Sequence, residues 1–137
     1  MVAIPGNHEF LYSLYPDPGE KSLEKANEIW LKRMSEFIVG DNGPGKGGPD
    51  GLLMDESKLT YSIDHKGDHF VLMNTDTYNQ PGMTPVDWIT ADVGTWRAAN
   101  PDGHIFLLGH KPAYGGSNGA GGSMIAGQAK KLWDVMK

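Results

Sequence analysis

The side chains best suited to chemistry sit at two places. Asn7, His8 and Glu9 follow the apolar run in VAIPGNHE, and His110 and Lys111 follow the apolar run in HIFLLGHKPAY. An Asn side-chain oxygen and an imidazole nitrogen are good donors to borderline divalent metals such as Mn, Zn or Fe. A His beside such a metal can act as a general acid, and a neighbouring carboxylate such as Glu9 can set its tautomer. Gly6 allows the tight turn that would aim Asn7 and His8 at one spot. Asn, Gly and a lone His are also common at ordinary strand ends, so residue types alone leave a structural role open.

For these groups to meet, two strands must end close together. Residues 2–5 read as a short buried strand that Pro5 and Gly6 end. Residues 104–109 read as a strand covered on both faces, with His110 at its end. In α/β sheets, ligands bind beyond the carboxyl ends of strands. From Ser22 to about Val39, the residues Leu23, Ala26, Ile29, Trp30, Met34, Phe37 and Ile38 recur at helical spacing, with Ser22 as N-cap and Gly40 as stop. DNGPGKGGPDG (41–51) is a loop, expected to be mobile. A β-hairpin follows, with strands at about 59–64 and from His69 to about Asn74, turning at Lys66-Gly67. Thr84-Pro85-Val86-Asp87 opens a second helix with Thr84 at its N-cap and an apolar face of Trp88, Ile89, Val93 and Trp96. Ser123 caps a last helix with Met124, Leu132, Val135 and Met136 inward. The order strand, helix, hairpin, helix, strand, helix predicts an α/β or α+β layer arrangement.

The totals narrow the function. A chain of 137 residues holds one core, and 39% hydrophobic with 21% charged residues is a globular composition. A net charge of −5 without a basic run argues against a nucleic-acid-specific surface or a membrane-surface binder. The absence of cysteine excludes disulfides and thiolate metal sites. No apolar stretch approaches the roughly 20 residues that span a bilayer, and no signal peptide is visible, so the compartment is left open.

Four blocks, in order, resemble the calcineurin-like metallophosphoesterases of purple-acid-phosphatase type. PGNHE resembles their GNH[D/E] block, and YSIDHKGDHFVLMNTDT their Y-S-F-D-x-G-x-x-H-F-x-x-L-x-T hairpin. VDWITADVGTW resembles their W-L-x-x-D-L helix, and HIFLLGHKPAYGG their G-H-x-P-x-Y block. The resemblance implies a four-layer fold, a β-sandwich flanked by helices, with two divalent metal ions (Mn, Fe or Zn) at the strand ends. By position, Asn7 and His110 would bind one metal. His8 would contact the phosphate and protonate the leaving alkoxide, with Glu9 holding its ring. The metals would polarise the phosphoryl group for in-line attack by water. The implied substrate is a phosphate mono- or diester. Members of the family are often secreted or periplasmic.

The family's D-x-H and G-D-x-x-D blocks, expected before GNHE, and its closing G-H-x-H block are absent. Both ends read as interior to a larger unit, so residues 1–137 are expected to be one partial domain, nearly inactive alone. A two-ion centre needs carboxylates to offset its charge, which neutral Asn7 and His110 cannot do. A non-catalytic α/β module on the same scaffold, binding a partner, is the alternative. Open sheet edges would permit self-association by strand addition.

Other features have plainer readings. Asp64-His65-Lys66-Gly67-Asp68-His69 resembles a metal cluster, with His65 and His69 at the i, i+4 spacing of helical zinc sites, but it spans a turn, so those two side chains need not converge. GPGKGGPDG lacks the spacing of a phosphate-binding loop. His104 is expected to be structural. Asp76 either orients a site residue or ends a strand, and Tyr114 borders the substrate in the phosphoesterase reading. Trp30, Trp88, Trp96 and Trp133 are expected to pack in the core.

Overall fold

The computed structural model describes residues 1–6, 9, 23–77, 82–114 and 122–137. Its centre is the hairpin. Strand β1 (Tyr61–His65) pairs antiparallel with β2 (Asp68–Met73), from Tyr61 opposite Leu72 to His65 opposite Asp68. Lys66 at φ 53° and Gly67 at φ 87° form the turn. A two-residue hairpin favours positive φ at both positions because that twist matches the strands, and Gly67 adopts it without strain. Strand β3 (Ile105–Gly109) lies parallel to β2 on its other side, giving the order β1-β2-β3. A parallel neighbour requires a crossover, and helix α2 (Val86–Ala99) supplies it.

Alternation along the strands decides which face is covered. Val71 and Met73 pack with Ile89 and Val93 of α2 and with Ala129 and Leu132 of α3 (Ala126–Val135). Ile105 and Leu107 lie against the same cluster. On the opposite face Phe70 stacks on Phe106, 4.9 Å between centroids. Phe106 and Leu108 there remain 43% and 40% exposed. Strand β3 is thus covered on one face rather than both: its unbroken apolar run hides a two-residue alternation. The fold is mixed α/β, three helices with an open three-stranded sheet.

Several local expectations are corrected. Residues 2–5 form no strand: Ala3 and Pro5 are buried, but the segment's backbone tie is Ala3 N–H to the Phe37 carbonyl at 3.2 Å, without a ladder partner among the described residues. Helix α1 (Leu23–Met34) stops short of Val39; a 3-10 turn, Ser35–Phe37, follows and Ile38 is extended. The chain must there pass Tyr61, whose ring would lie 2.4 Å from a Cβ at Gly40. Ser22, its expected cap, lies outside the described residues.

Thr84 does not cap α2 with its side chain. The carboxylate of Asp50 does so instead, accepting from the Asp87 and Trp88 amides at 2.9 Å each. The glycine-rich loop that carries Asp50 is itself tied by reciprocal Gly47–Leu52 hydrogen bonds of 2.7 and 2.9 Å, so it is an organised loop. Ser123 is not the cap of α3 either. Backbone bonds from Met124 to Pro112 and from Ile125 to Gly82 delay the helix until Ala126. Met124 and Leu132 are buried as expected, whereas Met136 and Trp133 are exposed.

Candidate active site at the strand ends

Gly6 and Glu9 close one turn of chain. The Glu9 amide donates to the Gly6 carbonyl at 3.2 Å, and the Gly6 amide donates to Glu9 Oε2 at 2.8 Å. A carboxylate reaching back three residues to a free N–H is half of a capping box, here with charge assistance. The turn encloses Asn7 and His8, which lie outside the described residues, so the Glu9 contact with the His8 ring is not among those described.

The ring of His110 stands against this turn. A Cβ at Gly6 would lie 3.2 Å from both Cγ and Nδ1 of His110, and 2.9 Å from Glu9 Oε2. A larger residue there would need the Glu9 carboxylate tip and the His110 ring to give way. Two segments about a hundred residues apart in sequence therefore approach each other, Gly6 and Glu9 with His110. Tyr114 is farther out, 62% exposed, with its ring edge-on to Trp133 at 6.1 Å.

Behind His110 the end of β2 is polar and buried. Glu56, Thr60, Asn74, Thr75, Asp76 and Lys111 are each at most 6% exposed. Asn74 donates to Glu56 at 3.2 Å and accepts from the Asp76 amide at 3.0 Å. The Lys111 amide donates to Thr75 Oγ1 at 3.1 Å, and the Lys111 ammonium pairs with Asp76 Oδ1. Asp76 Oδ2 has no partner among the described residues. Buried polar groups at this density cost free energy unless paired, and proteins concentrate such departures at functional sites. Asp76, just past the end of β2, is buried and accepts from the Gly82 amide at 3.2 Å as well as pairing with Lys111. Glu56 was not singled out by residue pattern, nor was the pairing of Lys111 with Asp76 foreseen, because a long-range pair leaves no local signal.

A second cluster lies at the other end of the sheet. His69 is buried, with Nδ1 2.7 Å from Asp64 Oδ1 and Nε2 2.9 Å from Asp92 Oδ2. Its ring stacks on Trp96 at 5.1 Å, and Ser62 Oγ donates to Asp92 at 3.0 Å. Asp64 and His69 converge because they face each other across the hairpin. Their atoms are spent on one another, which joins the hairpin to α2. His104 is exposed and pairs with Asp68 at 3.0 Å.

The donor set can be tested against the implied metals. His110 beside the Gly6–Glu9 turn fits one corner of one metal site. Among the described residues, no group of three or more His, Cys, Asp or Glu is arranged to hold a metal ion, so these residues alone do not fit a two-ion centre. No described helix is long and apolar enough to cross a membrane. Comparison with known proteins finds no matching family model, no similar curated protein and no similar solved structure.

Proposed function

We propose that this chain carries one side of a metal-dependent phosphoesterase site that hydrolyses phosphate mono- or diesters. The observation that carries the reading is the meeting of Gly6 and Glu9 with His110. Two further features support it. Polar positions of the second and third resembling blocks also meet, as Asp64, His69 and Asp92. The open apolar face at Phe106 and Leu108 is what the second layer of a β-sandwich would cover.

In this reading Asn7 and His110 hold one divalent ion, Mn, Fe or Zn, which supplies charge for the phosphoryl oxygens. His8 binds the phosphate and gives its proton to the leaving oxygen. Glu9 fixes the turn that carries His8 through its bond to the Gly6 amide. The carboxylates needed for a second ion come from outside the described residues, and the isolated chain turns over slowly at best.

Titration with Mn²⁺, followed through the imidazole signals in NMR, tests this. The ion should broaden His110 selectively and leave His65 and His104, at the opposite end of the sheet, sharp. Broadening confined to His65, His69 and His104, or none at all, contradicts the reading and favours the non-catalytic module.

A further inference from the structure

His69 lies at the end of the sheet away from His110 and takes no part in the chemistry proposed for the strand ends. We propose that His69 is a proton-operated clasp: its doubly protonated ring ties strand β1 to helix α2, and loss of the Nδ1 hydrogen releases Asp64. This holds whether or not the strand ends bind a metal.

The hydrogen bonds around the ring have a direction. The Ser62 amide donates to Asn42 Oδ1 at 3.0 Å, which turns Asn42 Nδ2 toward Ser62 Oγ, also at 3.0 Å. Ser62 Oγ accepts there and gives its own hydrogen to Asp92 Oδ1 at 3.0 Å. The second oxygen of Asp92 faces His69 Nε2 at 2.9 Å. A proton shared by those two groups belongs to the imidazole, which is ordinarily more basic than a carboxylate by roughly 2–3 pH units. On the other edge, Nδ1 lies 2.7 Å from Oδ1 of Asp64. An ionised carboxylate only accepts, so each ring nitrogen supplies a hydrogen. The result is an imidazolium 5% exposed and paired on both edges, as a buried charge requires.

Among the described residues no other charge is paired with the ring. Helix α2 also presents Trp96, stacked on it, and Arg97, whose guanidinium is bound to the Pro101 and Gly103 carbonyls. The chain entering β3 offers backbone: the His69 amide donates to the His104 carbonyl at 2.8 Å, while the His104 ring pairs with Asp68. His65 faces the other side of the sheet from Asp64 by strand alternation, and Lys66 lies in the exposed turn. Asp41, beside Asn42, lines a separate cavity with Lys58.

A neutral imidazole keeps one hydrogen and turns a lone pair to the other carboxylate. Asp92 is 19% exposed and anchored by Ser62, whereas Asp64 is 65% exposed and can turn to water. Nε2 therefore keeps its hydrogen and Asp64 lets go. The unfolded chain does not gather the two carboxylates around the ring, so the closed clasp binds more protons than the unfolded chain. Stability then falls as pH rises through loss of that proton.

Nitrogen-15 NMR of the His69 ring across a pH titration of the whole chain tests this. At the acidic end of the folded range both ring nitrogens should give protonated shifts. As pH rises, Nδ1 alone should move to the unprotonated shift. Asp64→Asn, at an exposed side chain, should move that transition to lower pH. In urea unfolding, the advantage of the wild type over Asp64→Asn should shrink as the ring loses its proton. A ring with one protonated nitrogen throughout, loss of the Nε2 hydrogen first, or a transition and stability difference that the variant and pH leave unchanged overturns the clasp. A ring that keeps both hydrogens until the chain unfolds also overturns it, since His69 is then a fixed strut. The wild-type titration decides alone if the variant does not fold.

Discussion

Gly6 is the residue on which the candidate site turns. Its value is the absence of a Cβ, since any larger residue meets Glu9 Oε2 at 2.9 Å and the His110 ring at 3.2 Å. Gly6→Ala should therefore displace the His110 imidazole and loosen the turn, at a cost of about 1–3 kcal/mol. In NMR the His110 ring signals should move while those of His65 and His104 stay; unchanged His110 signals would show that the contact does not constrain the ring. Asn7, His8, Glu9 and His110 were singled out in the sequence because each follows a strand-like run within a recognisable short motif; of these, the described residues include Glu9 and His110. The burial of Glu56 and the pairing of Asp76 with Lys111 were not legible in that way. These residues come from separate segments, and a charged residue destined for burial looks like any surface residue until its partner is known. His69 shows the same limit: its partner Asp64 is close in sequence, but Asp92 comes from α2.

At the scale of elements, the hairpin with its Lys66-Gly67 turn, the α2 crossover and β3 were all readable from periodicity and turn residues. Their ends were less so. Thr84 before Pro85 has the composition of an N-cap, yet Asp50, 37 residues before Asp87, takes the role. Thr84 Oγ1 is instead buried and has no partner among the described residues. The two candidate caps can be told apart by urea unfolding. Asp50→Ala should destabilise the protein by about 1 kcal/mol, the usual worth of a cap. Thr84→Val, which removes an unpaired buried hydroxyl, should be neutral or stabilising. The opposite pattern would return the cap to Thr84. Tertiary contacts also overrode local signals at α1, which gives way to a 3-10 turn before the chain passes Tyr61, and at residues 2–5, which are extended without a ladder partner among the described residues.

For the molecule as a whole, the layer arrangement follows from where apolar side chains accumulate. Helices α2 and α3 lie on one face of the sheet, and the opposite face keeps Phe106 and Leu108 open. The apolar run in β3 suggested cover on both sides because alternation cannot be seen when every residue is apolar. The same arrangement leaves Gly6 and Glu9 beside His110, with buried polar residues at the end of β2 nearby. That combination, rather than any single histidine, is what the proposed phosphoesterase reading rests on.

The measurement that tests this most directly is the metal content of gel-filtered protein equilibrated with Mn²⁺ or Zn²⁺, for the wild type and for His110→Ala. The account predicts about one weakly held ion per chain, short of a two-ion centre, lost when His110 is replaced. Metal retention that His110→Ala leaves unchanged, or no retention by the wild type at any concentration that keeps the chain folded, would contradict it.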